Sequence, residues 1–192
     1  MDHITISLIS VLTAIVIGFG FGIIVYKMKK ARVFIEQFFG ILRIIPSLAV
    51  LFILIPIIGT GVVPSVIALI LLAIPPILIN TVQGFISIPK ATIEAATGMG
   101  MNKMEVFYKI KLPLAFPLFF AGIRTATIEV ISSATLASYI GAGGLGDIIF
   151  TGLSLLRYDL LLIGGFSVAF LSLFIGFMLD LVYKKFTKYQ MV

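Results

Sequence analysis

Residues 94–113 read EAATGMGMNKMEVFYKIKLP, and this stretch differs in kind from the sequence around it. The chain of 192 residues is 60% hydrophobic and 11% charged, with a mean hydropathy of +1.23. The quoted stretch nevertheless carries two acids, three lysines and two glycines separated by one residue, and it ends on a proline. A polar stretch of this length in so apolar a chain indicates a segment that lies outside the hydrocarbon of a membrane.

The composition as a whole predicts an integral membrane protein. Soluble domains are about half apolar and about a quarter charged, whereas several runs here reach the roughly 20 apolar residues that cross a bilayer core. These runs are long and do not alternate, which favours helices over the strands of a transmembrane barrel. The sequence has no cysteine, so disulfides and thiolate sites are excluded. The length allows a single domain over residues 1–192.

Five apolar runs are predicted to cross the membrane. They cover about 4–26, 34–58, the stretch from the turn at 59–64 to about 85, 114–139 and 160–183. The second run is expected to be interrupted at Pro46 and Pro56, and the third contains Pro75 and Pro76. The predicted fold class is therefore an all-α membrane protein, with a charged loop at about 86–113 between the third and fourth spans.

The basic residues predict the orientation of these spans. Eleven of the 14 lysines and arginines follow the first span, lie in the charged loop or belong to the carboxyl-terminal tail. Because cytoplasmic loops carry an excess of positive charge, these three segments are placed in the cytoplasm. The amino terminus is then outside and the carboxyl terminus inside, which an odd number of spans requires. The net charge of +6 is explained by topology, and nucleic-acid binding is not expected.

The charged loop has helix signals of the kind found in soluble proteins. Asn102 with Glu105 three residues later resembles a capping box, and Glu105 and Lys109 form an i,i+4 pair in the favourable order. Gly98 and Gly100, just before them, permit a sharp bend. We predict a helix, a glycine break, a short helix and then a return into the membrane.

A short apolar stripe follows the glycines. Met101, Met104 and Tyr108 recur at helical spacing, and Pro113 suits the first turn of the next span because its missing N–H costs nothing there. Two interpretations fit this pattern. An amphipathic segment can rest on lipid headgroups, and a helix bearing methionines and an aromatic ring can lie in a groove of a partner protein. The spacing alone does not decide between them.

The same stretch resembles the EAA loop of the permease subunits of ATP-binding-cassette importers. That pattern is E-A-A, three residues, G, nine residues and I-x-L-P, and every spacing is met, at Glu94, Ala95, Ala96, Gly100, Ile110, Leu112 and Pro113. In the family, the loop is a coupling helix that sits in a cleft of the cytoplasmic ATPase subunit. The resemblance implies that this contact is made by Glu94, Ala95, Ala96 and Gly100, to which we add Met101, Met104 and Tyr108.

The resemblance extends over nearly the whole chain. The stretches similar to the branch that imports glycine betaine, choline and carnitine are IPSLAVL at 45–51, NTVQGF at 80–85 and GIRTATIEVISSATLASYIGAGGLGDIIFTGL at 122–153. The resemblance implies a MetI-like type I importer fold and a quaternary-amine cargo, with methionine, another amino acid or ergothioneine as alternative cargoes. A stand-alone secondary transporter or channel would show inverted internal repeats, and we see no convincing repeat among the five spans.

The glycine-rich loop GAGGLGD at 141–147 has two interpretations. A nucleotide-binding loop would need a strand before it and a helix after it, whereas this loop follows a membrane span. We favour a tight turn in which glycines permit positive φ and close helix packing. In the family such a loop lies near the outer face, where a role in the translocation gate is plausible, and the residues concerned are Gly141, Gly143, Gly144 and Gly146.

The fourth span is unusually polar for a helix that crosses lipid. Arg124 and Glu129 are five residues apart, about 140° around a helix, so each is expected to pair with another segment. Ionisable residues inside a membrane indicate a pathway, and we predict that Thr125, Glu129 and Ser132 line it. Glu129 could supply the counter-charge that a trimethylammonium ion needs. Packing between helices is the alternative role for most of the hydroxyl groups.

The sequence shows no catalytic or metal-binding constellation, since its one histidine, His3, stands without an acid pair or phosphate-binding loop. The resemblance therefore implies a transporter subunit that binds no cofactor, with ATP and Mg²⁺ held by a separate ATPase. The implied partners are cytoplasmic ATPase subunits, an extracellular solute-binding protein, a second permease copy and lipid. The implied location is the bacterial cytoplasmic membrane, crossed several times.

Overall fold

A computed structural model describes residues 2–187, which are almost entirely helical, with no strand in that range. The helices are α1 (Asp2–Lys27), α2 (Arg32–Leu42), α3 (Ser47–Ile58), α4 (Val62–Ile86), α5 (Lys90–Gly98), α6 (Lys103–Glu105), α7 (Leu112–Ala137), α8 (Leu145–Ser154) and α9 (Tyr158–Thr187). A π-helical segment, Val106–Lys111, joins α6 to α7, and a 3₁₀ turn, Ser138–Ile140, follows α7. The predicted all-α class is confirmed.

Four stretches within residues 2–187 are long and apolar enough to cross a membrane. They are α1, α4, α9 and a continuous helix of 38 residues, Lys103–Ile140, that contains α6, the π-helical segment, α7 and the 3₁₀ turn. These four correspond to the first, third, fifth and fourth predicted spans. The count rises to five if α2 and α3 together form one broken span.

The second predicted span is two helices. The axes of α2 and α3 are bent by 89° across the break at residues 43–46. Pro46 directly precedes α3. It has no amide hydrogen and favours extended conformations in the residue before it, so it disfavours one helix across the break. Pro56, which we also expected to interrupt this span, lies inside α3. That part of the prediction is wrong.

Helix α4 lies at the centre of the described bundle, between α1 and α7. The contact with α1 is close because glycines face it: a Cβ on Gly18 would come within 2.9 Å of Ile77, and one on Gly22 within 2.7 Å of Thr81. Gly122 of α7 approaches α4 at a similarly short distance. Small residues let helix backbones come together, and in lipid such packing replaces the hydrophobic effect as the source of association.

Helix α9 packs against α8 and along α7, and leaves most of its surface uncovered. Phe166, Phe170 and Leu173 are 72%, 71% and 75% exposed. The two helices of the broken span also leave apolar side chains uncovered, since Phe34 of α2 and Ile57 of α3 are largely exposed. Apolar surface of this extent is covered by lipid or by another protein.

Candidate functional site

The charged segment between α4 and α7 has its own local structure. Helix α5 begins after Pro89 and ends at Gly98, and the chain then turns at Gly100, whose φ is +87°. This is a backbone conformation that glycine adopts without strain. Asn102 opens α6, and the helix then continues through the π-helical segment directly into α7. The predicted order of helix, glycine break and short helix is confirmed, and the short helix runs directly into the fourth span.

The helix continues without interruption through Pro113. This proline lies in the first turn of α7, as predicted, and no irregular chain precedes it. A π-helix bonds each N–H to the carbonyl five residues back, and π-helical turns inside α-helices are frequently found at functional sites. Pro113 lies just after the change from π to α spacing, and Lys103–Ile140 remains one unit across it.

The predicted capping box is present at the start of α6. Asn102 Oδ1 accepts hydrogen bonds from the backbone N–H groups of Met104 and Glu105, both at 3.0 Å, and Glu105 Oε2 accepts one from the Asn102 N–H at 3.0 Å. The predicted pair of Glu105 and Lys109 is also present, with a separation of 3.0 Å. These contacts confirm the local prediction and fix where the helix begins.

The seven residues predicted to contact an ATPase lie on this segment but differ in accessibility. Met104 and Tyr108 are 62% and 57% exposed, and Met99, which the sequence did not single out, is 74% exposed. The other accessible members are Glu94, Ala95, Gly100 and the half-buried Met101. Ala96 is 1% exposed, so its side chain packs against this chain itself. Met99, Met104 and Tyr108 therefore expose an apolar surface on a polar loop.

A cavity of about 650 Å³ adjoins this surface and the end of α1. Its walls combine apolar side chains, including Met101, Met104 and Phe107, with the charged side chains of Lys27 and Lys111. A partner with apolar side chains and carboxylates at the edge would be complementary to such a concave surface.

An aromatic stack joins the charged segment to the bundle. Tyr26 of α1, Phe85 of α4 and Phe107 of the π-helical segment have successive ring centroids 5.1 and 5.8 Å apart. Lys111 donates a hydrogen bond to the Tyr26 hydroxyl at 3.4 Å and lies 5.7 Å from the centroid of that ring. The sequence analysis missed this stack because spacing within one helix does not reveal contacts among three.

A second cavity, of about 480 Å³, opens at the break between α2 and α3. Arg43, Pro46 and Ser47 line it from the break, and Glu129 and Ser133 line it from α7. Arg43 Nη2 donates a hydrogen bond to Glu129 Oε1 at 2.6 Å. The cavity therefore holds an ion pair beside non-helical backbone.

The other charge of the fourth span also pairs outside its own helix. Arg124 Nε lies 2.7 Å from Asp180 Oδ1 of α9. The expectation that Arg124 and Glu129 each find a partner on another segment is thus confirmed for both.

The three residues predicted for a pathway share one face of α7, since their spacings are four and three residues. Glu129 lines the cavity at the break, whereas Thr125 is half-buried and Ser132 is exposed on the same face. The sequence analysis did not select Arg43 or Ser133 for a site. An arginine inside a predicted span was the signal that could have drawn attention to Arg43.

The glycine-rich loop at 141–147 is a tight turn before α8. Gly141, Gly143 and Gly144 have φ values of +85°, +74° and +103°. Gly146 serves close packing instead, because a Cβ there would lie 2.1 Å from the Thr135 carbonyl oxygen. Since residues 2–187 contain no strand, the loop does not belong to a βαβ nucleotide-binding unit.

His3 lies against this loop. Its side chain is 3% exposed, and Nε2 donates a hydrogen bond to the Ile131 carbonyl oxygen at 3.0 Å. A Cβ on Gly144 would come within 3.0 Å of the His3 Cβ. The histidine therefore fixes the start of α1 to α7 and to the loop, a structural role that the sequence analysis did not predict.

Comparison with known proteins agrees with this architecture. The model of the family described as "Binding-protein-dependent transport system inner membrane component" matches residues 14–188. The choline transport system permease protein OpuBB of Bacillus subtilis (strain 168) is 41% identical over 186 residues, which cover 97% of this chain and 86% of that protein. The glycine betaine/carnitine/choline transport system permease protein OpuCB of the same organism is 40% identical with the same coverage.

A solved structure supports the fold. The inward-facing MetNI methionine ABC transporter contains a chain that superimposes with a TM-score of 0.81 at 23% identity, and the match covers 97% of this chain and 93% of that one. At this identity the likeness concerns the fold alone, which is MetI-like as the resemblance implied. The family match, the two relatives and the apolar helices together show that the chain belongs to the binding-protein-dependent transport system inner membrane components, the membrane-embedded permease subunits of ABC importers.

Proposed function

We propose that this chain forms the translocation path of an ATP-driven importer for the quaternary-amine compatible solutes glycine betaine, choline and carnitine. The observation that carries the proposal is the similarity to two permeases named for these solutes, at 40% identity or more over 97% of the chain. The whole of residues 1–192 then acts as one permease domain, with the coupling loop at about 86–113. The chain itself catalyses no reaction and binds no cofactor in this proposal.

Coupling to the motor would occur through the charged segment. The surface that includes Met99, Met104 and Tyr108 is exposed although it is apolar, and lysines line the cavity beside it. A cytoplasmic ATPase that binds ATP and Mg²⁺ would cover this surface with its cleft. Closure of two such ATPases would then push on the segment and change the side of the membrane to which the path opens.

The remaining assembly follows from charge and family. The excess of lysine and arginine supports a cytoplasmic coupling loop, with the amino terminus outside and the carboxyl terminus inside. Lys188, one of the residues on which this orientation depends, lies outside the described residues. We propose that two copies of the chain form the path between them and that an extracellular solute-binding protein delivers the cargo, near the turn that contains Gly141, Gly143, Gly144 and Gly146.

Methionine, another amino acid and ergothioneine remain alternative cargoes for the same class of importer. The similarity to the methionine transporter concerns the fold alone and therefore does not favour methionine.

Uptake in a host that lacks its own systems tests both the class and the cargo. The host expresses the complete importer and takes up radiolabelled glycine betaine in competition with unlabelled choline, carnitine or methionine. We expect the quaternary amines to compete. If glycine betaine is not taken up and radiolabelled methionine is, with only unlabelled methionine competing, the proposed cargo is wrong. Uptake at full rate in vesicles that contain this chain without an ATPase would refute the importer class.

A further inference from the structure

The break between α2 and α3 places a positive charge against a negative charge of α7. Arg43 follows the last residue of α2 and pairs with Glu129 at 2.6 Å. The two side chains are 40% and 38% exposed, so the pair faces the cavity of about 480 Å³ as well as the protein. The hydroxyl-bearing residues Ser47 and Ser133 line the same cavity. These four side chains give the cavity a polar lining beside apolar residues such as Leu72 and Ile79.

The non-helical backbone that interrupts this predicted span supports an aqueous route. Irregular backbone inside a membrane is tolerated where it is buried in protein or lines a water-filled cavity. Residues 43–46 are such a stretch, and they line the cavity. In transporters, broken helices mark the place where cargo binds near the middle of the bilayer. The break therefore supports passage of a polar solute beside Arg43 and Glu129.

The second ion pair of α7 shows that an ion pair between helices does not by itself create a polar cavity at a helix break. Arg124 and Asp180 are 2.7 Å apart, and their side chains are 43% and 44% exposed, much like the first pair. They join α7 to α9, both of which are continuous helices there, and neither residue lines the cavity at the break. This pair provides the matched control.

We propose that Arg43 and Glu129 are a pair of cargo-binding charges that bind each other when no cargo is present. The Glu129 carboxylate would be the counter-charge for the quaternary ammonium group, and the Arg43 guanidinium would bind the carboxylate of a zwitterion. Glycine betaine and carnitine would engage both residues, whereas choline, which has no carboxylate, would engage Glu129 alone. The proposal rests on the proposed function and extends it to the basis of discrimination among these solutes.

The chemistry of the ligand explains why the pair must separate. A trimethylammonium group has no N–H and cannot replace the hydrogen bond of Arg43, so it interacts with a carboxylate through charge alone. Arrival of cargo must therefore move the Arg43 side chain or the backbone of residues 43–46 that carries it. A zwitterion compensates for this separation at both ends, since each of its charges replaces one member of the pair.

Uptake by the complete importer in proteoliposomes tests the proposal with the variants Arg43→Gln, Glu129→Gln and the double variant. We expect Glu129→Gln to lower uptake of choline, glycine betaine and carnitine by about tenfold or more, because the quaternary ammonium group of each solute loses its counter-charge. Arg43→Gln should lower uptake of the two zwitterions by a similar factor and leave choline uptake within about twofold. The double variant should remain defective for all three solutes.

A merely structural ion pair gives a different pattern. In that case both single variants lower uptake of every solute alike, and the double variant, which leaves no unpaired charge, restores it; this result would overturn the proposal. The control variants Arg124→Gln and Asp180→Asn should change the uptake of all three solutes by the same factor. Wild-type importer that takes up none of the solutes refutes the proposed function, whereas normal wild-type uptake with normal Glu129→Gln uptake refutes only this inference.

A second measurement does not require the charge variants to fold. The chain has no cysteine, so Ser133→Cys introduces a single thiol beside Glu129. A methanethiosulfonate that bears a trimethylammonium group should modify this thiol faster than one that bears a sulfonate, after correction for their rates with a free thiol. Choline should slow the cationic reagent. Equal corrected rates, or no protection by choline, would contradict a cation site at this cavity.

Discussion

Phe107 of the π-helical segment stacks on Phe85 of α4, with ring centroids 5.8 Å apart and ring planes inclined by 12°. Phe85 is 2% exposed and in turn stacks on Tyr26 of α1 at 5.1 Å. The charged segment between α4 and α7 is therefore joined through side chains to α4 and α1, and through its backbone to α7. A force applied to the segment acts on three long helices at once.

Replacement of Phe107 by alanine should weaken this connection. We expect the free energy of unfolding to fall by about 2 kcal/mol. This is less than for a fully buried phenylalanine, because the ring of Phe107 is half-buried. The exposed side chains of Met104 and Tyr108 remain, so the ATPase should still bind and hydrolyse ATP. The amount of solute transported per ATP hydrolysed in proteoliposomes should fall.

Phe166→Ala is the control for this substitution, because Phe166 is 72% exposed on α9. It should leave the transport ratio unchanged. A Phe107→Ala importer with the wild-type ratio would show that the aromatic stack takes no part in coupling.

Gly100 and Gly98 should respond differently to alanine. The φ of +87° at Gly100 costs an L-residue about 1–2 kcal/mol, whereas Gly98 lies in α5 with open space around it. Gly100→Ala should reduce the amount of ATPase that co-purifies with the chain, and Gly98→Ala should not. Equal retention of the ATPase by both variants would argue against a role for the turn in docking.

The capping box makes a local prediction about the start of α6. Asn102→Ala removes the acceptor for the N–H groups of Met104 and Glu105 and should destabilise this turn by about 1 kcal/mol. The two amides should then exchange faster with deuterium. Asn102→Asp retains an acceptor oxygen and should preserve the slow exchange; if it exchanges as fast as the alanine variant, the cap is not what protects these amides.

The contact between α1 and α4 predicts a difference between two neighbouring glycines. A Cβ on Gly22 would lie 2.7 Å from the Thr81 Cβ, whereas one on Gly20 would meet nothing within 4 Å. Gly22→Ala should therefore destabilise the protein by about 1–3 kcal/mol through overpacking, and Gly20→Ala should not. Thermal unfolding in detergent measures both. Equal unfolding temperatures would show that α1 can move away from α4 at little cost.

Local rules predicted those parts of the structure that depend on neighbouring residues. The capping box, the glycine turn and the pair of Glu105 and Lys109 each involve residues within a few positions of one another, and all are present. The angle between Arg124 and Glu129 around one helix predicted that each pairs with a residue of another helix. It could not predict that the partners are Asp180 and Arg43, because these lie 56 and 86 residues away in the sequence.

The prolines show why the broken span was harder to predict. Pro46 precedes a new helix after a bend, whereas Pro56 and Pro75 lie inside helices that continue. All three remove an N–H, and the outcome depends on whether neighbouring groups or a cavity accommodate the freed carbonyl oxygens. That information belongs to the tertiary structure. The cavity beside Glu129, which the break helps to form, was unpredictable for the same reason.

The uninterrupted course of Lys103–Ile140 has a geometric consequence. A rod of 38 residues is about 57 Å long, nearly twice the thickness of the hydrocarbon core. If it tilts by about 10° around its midpoint, its two ends move by about 5 Å in opposite directions. One end carries the capping box and the other adjoins the turn at Gly141, so a single tilt displaces both faces of the protein without breaking any hydrogen bond within the rod.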